Sequence, residues 1–414
     1  MSVETMNILV FNCGSSSLKY KLIAMPSEIV IAGGEAQRVG PKTAEPSKIF
    51  HRIDGNEYVH VVEMPDHFTA FKEVMKLLTS DPRLIPHAVG HRVVHGATLF
   101  NQPTCISLEV LEQLKSIEHL APLHNPPAMR LMEACTELYP ELPQVAVFDT
   151  AYHATIPDYA STYAISSGIA DEMGIRKYGF HGTSHQFVVE EAAAFLKKDI
   201  DSFNAVSCHL GSGGASLCAV KNGKSVDNTM GFSPLQGLVM STRCGDLDSA
   251  VALKLIGRYL GDTDSVEKLL NKQSGVLGMS GVSADIRDIF NVSKNYTDST
   301  SKPDLTAQVY LWRIRKYLGS YLTVVENADA IIFTDTIGET VPLVRWAVCT
   351  NMEYFGVEID TDKNSNVKSY PVDVATPNSR VRILVILTNE ELAISRRTYA
   401  KLFQPQGTST GRIW

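Results

Sequence analysis

The chain has 414 residues, of which 44% are hydrophobic and 20% are charged, and its formal net charge is -7. This composition is ordinary for a folded protein and excludes a chain that is mostly disordered. At about 100–200 residues per domain, the length predicts two or three domains. The mildly acidic balance also excludes the broad basic surface of a general nucleic-acid-binding protein, although local clusters of arginine and backbone N–H groups still allow anion binding.

The cysteines and the apolar segments indicate a reducing compartment. The seven cysteines are scattered and form no CxxC pair, which argues against a disulfide framework and against a thiolate zinc site. Residues 1–10 lead directly into a strand pattern and lack the basic and apolar regions of a signal peptide. No window of about 18 residues is continuously apolar, so we expect no membrane span. These features predict a cytoplasmic protein.

Two similar units of strand, Gly/Ser turn and strand lie about half a chain apart. The first has strand patterns at 7–11 and 18–23, and the second has them at 205–210 and 215–220. This repetition favours a duplicated fold.

Other segments alternate between helical and strand patterns. Apolar spacing near 3.6 residues predicts helices at 68–78, 108–120, 185–197, 248–259 and 305–327. Further strand patterns occur at 145–148, 330–333 and 382–387. Alternation of this kind predicts an α/β protein, and the two hairpins predict mixed rather than purely parallel sheets.

The first Gly/Ser turn, at 12–17, is a candidate phosphate site. Together with Lys19 it offers backbone N–H groups, hydroxyls and a positive charge, which phosphate oxygens need. It is not a P-loop, because the element that follows is a predicted strand rather than a helix. A plain polar hairpin turn is the alternative. The second turn, at 211–214, favours phosphate binding, since two such turns can hold a polyphosphate from both sides.

Two arginines lie in short segments bounded by glycine. Arg92 lies in the apolar run of GHRVVHG, where its burial requires an anionic partner, either a substrate or a structural carboxylate. Arg243 lies in the polar loop STRCGD. Two arginines from separate loops, together with a histidine, are suited to bind a transferring phosphoryl group.

Three further residues have positions typical of catalytic groups. His124 precedes Asn125 and two prolines, which predict a rigid loop that presents it. Asp149 follows the strand 145–148, where ligands bind in open α/β sheets, although capping of the next segment is an alternative role. His181, in a loop beside Phe180 and before a helix, suits an anionic transition state.

Histidine pairs spaced four residues apart at 87/91, 91/95 and 181/185 raise a zinc hydrolase as an alternative. The chain has no HExxH motif, and the 91/95 pair lies on a strand pattern, where this spacing does not converge. We therefore disfavour that function.

Two C-terminal segments complete the set. Residues 331–339 predict a strand, a turn at Gly338 and a helix from about residue 341, and the turn is suited to a nucleotide base or ribose. Glu390 follows the strand 382–387 and opens a short helix, where it is suited to bind Mg²⁺ or to complement the helix N-terminus.

Nine motifs together resemble the acetate kinase family. They are NCGSSSLKY, GHRVVHGA, LAPLHNPP, VFDTAYH, RKYGFHGTSH, CHLGSGG, MGFSPLQGL, STRCGD and TNEELAI, and they occur in the family's order between about residues 7 and 401. The resemblance implies a two-domain actin-like ATPase fold with duplicated ribonuclease-H-like cores, mixed sheets and an interdomain cleft that closes during turnover. It implies a first domain at 1–150 plus 388–403 and a second, nucleotide-binding and dimerisation domain at 151–387. The segment 404–414 contains Pro, Gly, Ser and Thr, which predict a loose tail.

The activity implied by the resemblance is reversible, direct in-line transfer of the γ-phosphoryl group from ATP to acetate, which gives acetyl phosphate and ADP. It requires Mg²⁺, for which Mn²⁺ can substitute, and no nucleic acid or membrane partner. Arg92 and Arg243 bind the carboxylate and the phosphoryl group, His181 stabilises that group with support from His124, and Asp149 is the catalytic carboxylate.

The resemblance also implies three binding sets. The acetate site consists of Arg92, Val94, Leu123, Phe180 and Pro234. The nucleotide site consists of Ser15, Ser17, Lys19, His209, Leu210, Gly211, Ser212, Gly213, Asp285, Ile286, Arg287, Thr336, Ile337, Gly338, Glu339 and Thr340. The Mg²⁺ ligands are Asn12 and Glu390. A homodimer is implied as well.

The sequence departs from the family pattern around the nucleotide. Where the family has FT-G/A-G-IGEN, this chain has Asp335, Thr336 and Thr340 in place of two small residues and an asparagine. Ser212 replaces a usual asparagine, and the same loop is one residue longer. These changes leave open whether the donor is ATP, another nucleotide or pyrophosphate.

Two other functions are alternatives. One is a propionate-preferring kinase, but the bulk of Val94 favours acetate over propionate. A non-catalytic nucleotide-binding relative is the other, against which the presence of all the motif residues argues.

Overall fold

The computed structural model describes residues 5–14, 16–41, 44–122, 124–293 and 300–403. The predicted site residues Ser15 and Leu123 lie outside these ranges, as does the predicted tail at 404–414. The chain divides into two units, which comprise the described residues of Met1–Tyr152 with Asn389–Trp414 and those of His153–Thr388. Over the ranges given, no helix has the length and apolar character needed to cross a membrane.

In the described part of the first unit, eight strands form a mixed sheet in the order β5-β4-β3-β2-β1-β6-β8-β7. The strands are β1 (Met6–Cys13), β2 (Ser17–Met25), β3 (Ile29–Gln37), β4 (Lys48–Ile53), β5 (Asn56–Val61), β6 (Ala88–Val93), β7 (Thr104–Cys105) and β8 (Gln144–Phe148). The predicted hairpin β1–β2 is confirmed. Strands β3, β4, β5 and β7 were not predicted. All six residues of β5 are exposed, so its sequence carries no buried face.

In the described part of the second unit, six strands form a sheet in the order β11-β10-β9-β12-β14-β13. They are β9 (Ala205–Leu210), β10 (Ala215–Lys221), β11 (Lys224–Asn228), β12 (Ala330–Thr334), β13 (Val372–Asp373) and β14 (Arg382–Val385). Five neighbouring strands in each sheet share one plan, in which three antiparallel strands are followed by two parallel ones. This confirms the predicted duplicated fold and mixed sheets.

The helices are α1 (His67–Thr79), α2 (Leu108–Ser116), α3 (Asn125–Leu138), α4 (Asp158–Ser161), α5 (Ser167–Met173), α6 (Gly182–Phe195), α7 (Ser249–Arg258), α8 (Thr263–Lys272), α9 (Gly275–Ser280), α10 (Ile286–Val292), α11 (Lys302–Val325), α12 (Asp335–Thr340), α13 (Pro342–Cys349), α14 (Thr361–Ser365) and α15 (Glu390–Phe403). The five predicted helices are confirmed with ends that shift by a few residues.

Two predicted loops are helical instead. The segment that presents His124 was predicted to be a rigid loop, but His124 is the N-cap of α3, and the two prolines lie in the first turn of that helix. Proline is tolerated there because the N–H groups of a first turn have no partner within the helix. The turn predicted at Gly338 was also wrong, since Gly338 is buried within the short helix α12.

Helix α15 packs closely on the first sheet. Its Ile394 and Tyr399 join Ile8 and Val10 in one apolar core. A Cβ atom on Gly90 of β6 would lie 2.6 Å from Thr398 Oγ1 and 2.7 Å from Ile394 Cγ2. The first glycine of GHRVVHG therefore allows α15, which begins at Glu390, to approach the strand that carries Arg92.

Gly90→Ala is expected to lower the free energy of unfolding by about 1–3 kcal/mol, because the added methyl group overpacks this contact. The matched control is Gly168→Ala in α5, where a Cβ atom would meet no atom within 4 Å. Urea unfolding gives the free energy of unfolding of both variants. Equal stability of the two would contradict close packing of α15 at Gly90.

Candidate active site

In the first unit, three predicted site residues lie at the carboxyl ends of adjacent parallel strands. Asn12 is near the end of β1, Arg92 is near the end of β6, and Asp149 directly follows β8. The strand register pairs Phe11 with His91, so Asn12 and Arg92 lie at the same level. Ligands of open α/β sheets bind at this edge, and the placement makes it a candidate site.

Arg92 connects the two carboxylates of this edge. Its Nε and Nη2 donate to Asp149 Oδ2 at 3.0 and 2.7 Å, and its Nη1 lies 3.0 Å from Glu390 Oε2. Burial lowers the pKa of Arg92, but the nearby carboxylates of Asp149 and Glu390 raise it by more. The pKa of Arg92 therefore lies above its ordinary value. The structural Arg–carboxylate pair, which the sequence left open, is therefore present, and 19% of the Arg92 side chain remains exposed.

The turn between β1 and β2 brings a metal candidate and a phosphate candidate together. Gly14 N donates to Ser17 O at 2.9 Å, and His67 Nε2 lies 2.8 Å from Gly14 O. Asn12 and Lys19 are direct partners in the antiparallel register, so their side chains share a face. Lys19 is exposed on that face.

Asn125 is a buried residue of the site region that sequence reasoning missed. Its Oδ1 accepts from His95 N at 3.2 Å, and its Nδ2 donates to His95 O at 2.8 Å. These two bonds tie the start of α3, and hence the exposed His124, to the segment after Arg92. The signal was present in the sequence, since an asparagine before two prolines predicts a fixed backbone.

The histidines near β6 have structural partners. His87 Nδ1 accepts from Asn7 N at 2.9 Å, and His91 Nε2 bonds to Gln144 Oε1 at 2.8 Å. Burial lowers the pKa of His91 and of His95 to about 4, so both are neutral at physiological pH. Within the described ranges, no group of three or more His, Cys, Asp or Glu side chains is arranged to hold a metal ion.

In the second unit, His181 and Arg243 converge on the glycine-rich turn between β9 and β10. A Cβ atom on Gly214 would lie 3.4 Å from both Arg243 Nη1 and His181 Nε2. Arg243 Nη1 also donates to Pro234 O at 3.2 Å, and burial lowers the pKa of Arg243. Two donors and an open backbone at one point can bind a small anion.

A chain of hydrogen bonds fixes the ring of His181. Its Nδ1 bonds to Ser216 Oγ at 2.8 Å, and the same hydroxyl bonds to His185 Nε2 at 2.8 Å. His185 Nδ1 bonds in turn to Ser207 Oγ at 2.8 Å. Burial lowers the pKa of His185 well below its ordinary value. The sequence showed no signal for Ser216 or Ser207, because their contacts join residues far apart in the chain.

The turn itself is held by backbone and side-chain bonds. Gly211 N donates to Gly214 O at 3.0 Å, and Ser241 Oγ donates to Ser212 O. Ser212 and Gly213 are exposed, whereas Leu210 is fully buried, so Leu210 can serve a ligand only through its backbone. The turn therefore presents main-chain groups rather than large side chains.

Helix α12 carries the altered nucleotide motif. Glu339 Oε1 accepts from Asp335 N at 2.8 Å and from Thr388 N at 2.9 Å, and burial raises the pKa of Glu339. Thr340 Oγ1 donates to Thr336 O at 2.5 Å. Ile337 is fully buried. These bonds fix the backbone of the segment.

Arg345, which the sequence analysis did not identify, stabilises the backbone of α12. It is fully buried and donates to Gly338 O at 2.8 Å, to Glu339 O at 2.9 Å and to Asn364 Oδ1 at 2.7 Å. An arginine within the apolar run PLVRWAVC was its signal, because a buried arginine must be paired.

The segment 285–287 makes mainly local contacts. Asp285 caps α10, and its Oδ1 accepts from Arg287 N and from Arg287 Nε, both at 2.9 Å. Ile286 is buried. The part of these residues in nucleotide binding stays a prediction.

The two sheets with one shared strand plan define the actin-like ATPase fold. Residues 7–396 match the model of the Acetokinase family, and the chain belongs to that family. An acetate kinase of Clostridium acetobutylicum is 45% identical and aligns over 95% of this chain and 98% of its own length.

Two solved structures are similar over nearly their whole length. The acetate kinase of Porphyromonas gingivalis is 36% identical with a TM-score of 0.87, and the match covers 95% of this chain and 99% of that one. A propionate kinase of Francisella tularensis is 37% identical with a TM-score of 0.86, over 95% of this chain and 99% of its own.

Proposed function

We propose that this protein is an ATP-dependent acetate kinase, which transfers the γ-phosphoryl group of ATP to acetate by direct in-line transfer and gives acetyl phosphate and ADP reversibly. The observation that carries the proposal is the convergence of Arg243 and His181 on Gly214 in a chain of the Acetokinase family. Similarity to curated acetate kinases at 43–45% identity supports the substrate.

The chemistry needs charge neutralisation more than a strong base. Acetate is ionised at neutral pH, so its oxygen is already a nucleophile. The barrier comes from bringing an anionic carboxylate to an anionic phosphoryl group. Preorganised cationic donors at the reacting atoms lower that barrier.

We assign binding of the acetate carboxylate to the first unit. Arg92 binds the acetate carboxylate, and its bonds to Asp149 Oδ2 and Glu390 Oε2 fix the plane of the guanidinium. Asp149 is the catalytic carboxylate beside the acceptor. His124, exposed at the start of α3, supports the phosphoryl group as it passes.

We assign charge neutralisation of the transferring group to the second unit. Arg243 Nη1 and His181 Nε2 donate to its oxygens above Gly214, and Ser216 keeps the His181 ring in place. The turns at 14–19 and 209–213 bind the donor phosphates. Residues 285–287 and 336–340 line the adenosine site.

The residues present fit a Mg²⁺ ion in the first unit. Asn12 and Glu390 offer an amide and a carboxylate oxygen, and Asn12 lies at the level of Arg92, to which Glu390 is bonded. Hard oxygen donors of this kind suit Mg²⁺, and Mn²⁺ accepts the same set. When bound, the ion supplies neutralisation of phosphate charge.

Val94→Ala is expected to raise kcat/KM for propionate relative to acetate by about tenfold, because the residue after β6 limits the space for the acyl chain and one methylene is worth about 1–3 kcal/mol. The wild type should use propionate poorly. Steady-state rates with both acids measure the ratio, with Val61→Ala on exposed β5 as the control. An unchanged ratio would remove Val94 from the acyl site.

We propose a cytoplasmic homodimer formed through the second unit. Trp312 is 68% exposed, Leu305 45% and Trp346 41%, and all three line an apolar recess of about 500 Å³. Covering this recess with a second copy removes apolar surface from water. Sedimentation should give the dimer mass, and Trp312→Glu should shift it toward the monomer. A monomeric wild type would contradict the proposal.

Acetyl phosphate formation, trapped with hydroxylamine, tests the function. Acetate and Mg²⁺ are supplied with ATP, GTP or pyrophosphate in parallel. Strong activity with ATP is expected. Activity with pyrophosphate but with neither nucleotide would show that pyrophosphate is the phosphoryl donor. Inactivity with every donor would favour a non-catalytic nucleotide-binding protein.

A further inference from the structure

Asp335 places a carboxylate directly against the glycine-rich turn. Its backbone φ is 62°, in the left-handed region that favours glycine, which is one of the residues usual at this position in the family. A Cβ atom on Gly211 would collide with Asp335 Oδ2. The carboxylate therefore lies at the open backbone that we assign to the donor phosphates.

The same carboxylate engages the histidine that precedes this turn. Asp335 Oδ2 lies 3.0 Å from His209 Nε2, and His209 Nδ1 bonds to Ser184 Oγ at 2.9 Å. Both ring nitrogens of His209 thus have protein partners. A phosphate that approaches Gly211 would have to compete with Asp335 for His209 Nε2.

Asp335 is held in its ionised form. Burial raises its pKa, but hydrogen bonds and charge from His209 and the bonds from Thr336 outweigh burial, and the net pKa lies below the ordinary value. Thr336 donates to Asp335 Oδ1 from its N at 2.6 Å and from its Oγ1 at 2.9 Å. A fixed negative charge beside a phosphate site repels a phosphate donor.

We propose that Asp335 lowers the affinity of this turn for the phosphates of the nucleotide donor, because it occupies His209 and places a negative charge at Gly211. The inference rests on the proposed function, since it assumes that the turn 211–214 binds the donor. It assigns a role to the departure from the family pattern that the sequence showed at this position.

Two variants distinguish the effect of the Asp335 charge from the effect of its side chain. Asp335→Asn keeps the size and tolerates a positive φ, and Asp335→Gly removes the side chain and suits φ 62°. Either change should lower the Kd for ADP and the KM for ATP by about tenfold, as expected for loss of one partly screened charge. The KM for acetate should stay unchanged.

Calorimetric titration with ADP and Mg²⁺ gives a readout that does not depend on turnover. The matched control is Asp264→Asn, which removes the same charge from an exposed position on α8. An Asp335→Asn variant that binds ADP no more tightly than the wild type and the control would overturn the inference, as would a change in both Kd for ADP and KM for acetate.

The two proposals fail in different ways. A wild type that forms no acetyl phosphate, but whose Asp335 variants bind ADP more tightly, would refute the acetate kinase activity and support Asp335 as a nucleotide determinant. An active wild type whose ADP affinity does not respond to Asp335→Asn would retain the activity and refute the role of Asp335.

Discussion

Replacing Arg243 by alanine is expected to lower kcat for acetyl phosphate formation by about 10³-fold, in the range found when one transition-state donor is removed. Arg243 Nη1 lies at the same point of the glycine-rich turn as His181 Nε2. In the variant, the negative charge on the phosphoryl oxygens is stabilised by one hydrogen-bond donor fewer. Because the site is partly buried, water replaces the lost guanidinium poorly.

The Arg243 variant should fold normally. The guanidinium donates to Pro234 O at 3.2 Å and contacts Met240 Sδ at 3.6 Å, and no carboxylate depends on it among the ion pairs of the described residues. Arg243→Lys should recover part of the rate, because it keeps the charge but loses the planar fork. Arg258→Ala, at the exposed end of α7, is the control. A near-normal kcat for Arg243→Ala would exclude it from the phosphoryl site.

Much of the fold could be predicted because its signals are local. The strand patterns at 7–11 and 205–210 are short apolar runs that end at Gly/Ser turns, and both became central strands of a sheet. The duplication followed from those two patterns. Strand β5 could not be predicted, because its stability comes from pairing with β4 rather than from a buried face of its own.

The candidate site was predictable where a charged residue interrupts an apolar pattern. Arg92 in a strand and Asp149 at the end of the next parallel strand are such cases. Their mutual contact depends on the sheet order, which the local pattern does not contain. The pairing of His209 with Asp335 likewise depends on the parallel register of β9 and β12, and the sequence showed only that Asp335 was unusual.

Replacing Arg92 by alanine is expected to damage both stability and turnover, because the structure contains the arginine–carboxylate pair that the sequence left open. The side chain of Asp149 is only 2% exposed and that of Glu390 15% exposed, and both lie against the Arg92 guanidinium. Removing the cation takes away one charged partner of two carboxylates that are largely buried, which costs about 3–5 kcal/mol of unfolding free energy. The variant also lacks the guanidinium that binds the acetate carboxylate, so its kcat/KM for acetate should fall by about 10³-fold.

A double variant separates these two effects. Asp149→Asn removes the buried negative charge, so Arg92→Ala combined with Asp149→Asn should unfold at higher urea concentration than Arg92→Ala alone. Turnover should stay low in the double variant, because both assigned acetate groups are absent. Urea midpoints and the hydroxamate assay measure the two quantities on the same preparations. If the double variant lost as much stability as the sum of the single ones, Arg92 and Asp149 would act independently, and the role of Asp149 in orienting Arg92 would be refuted.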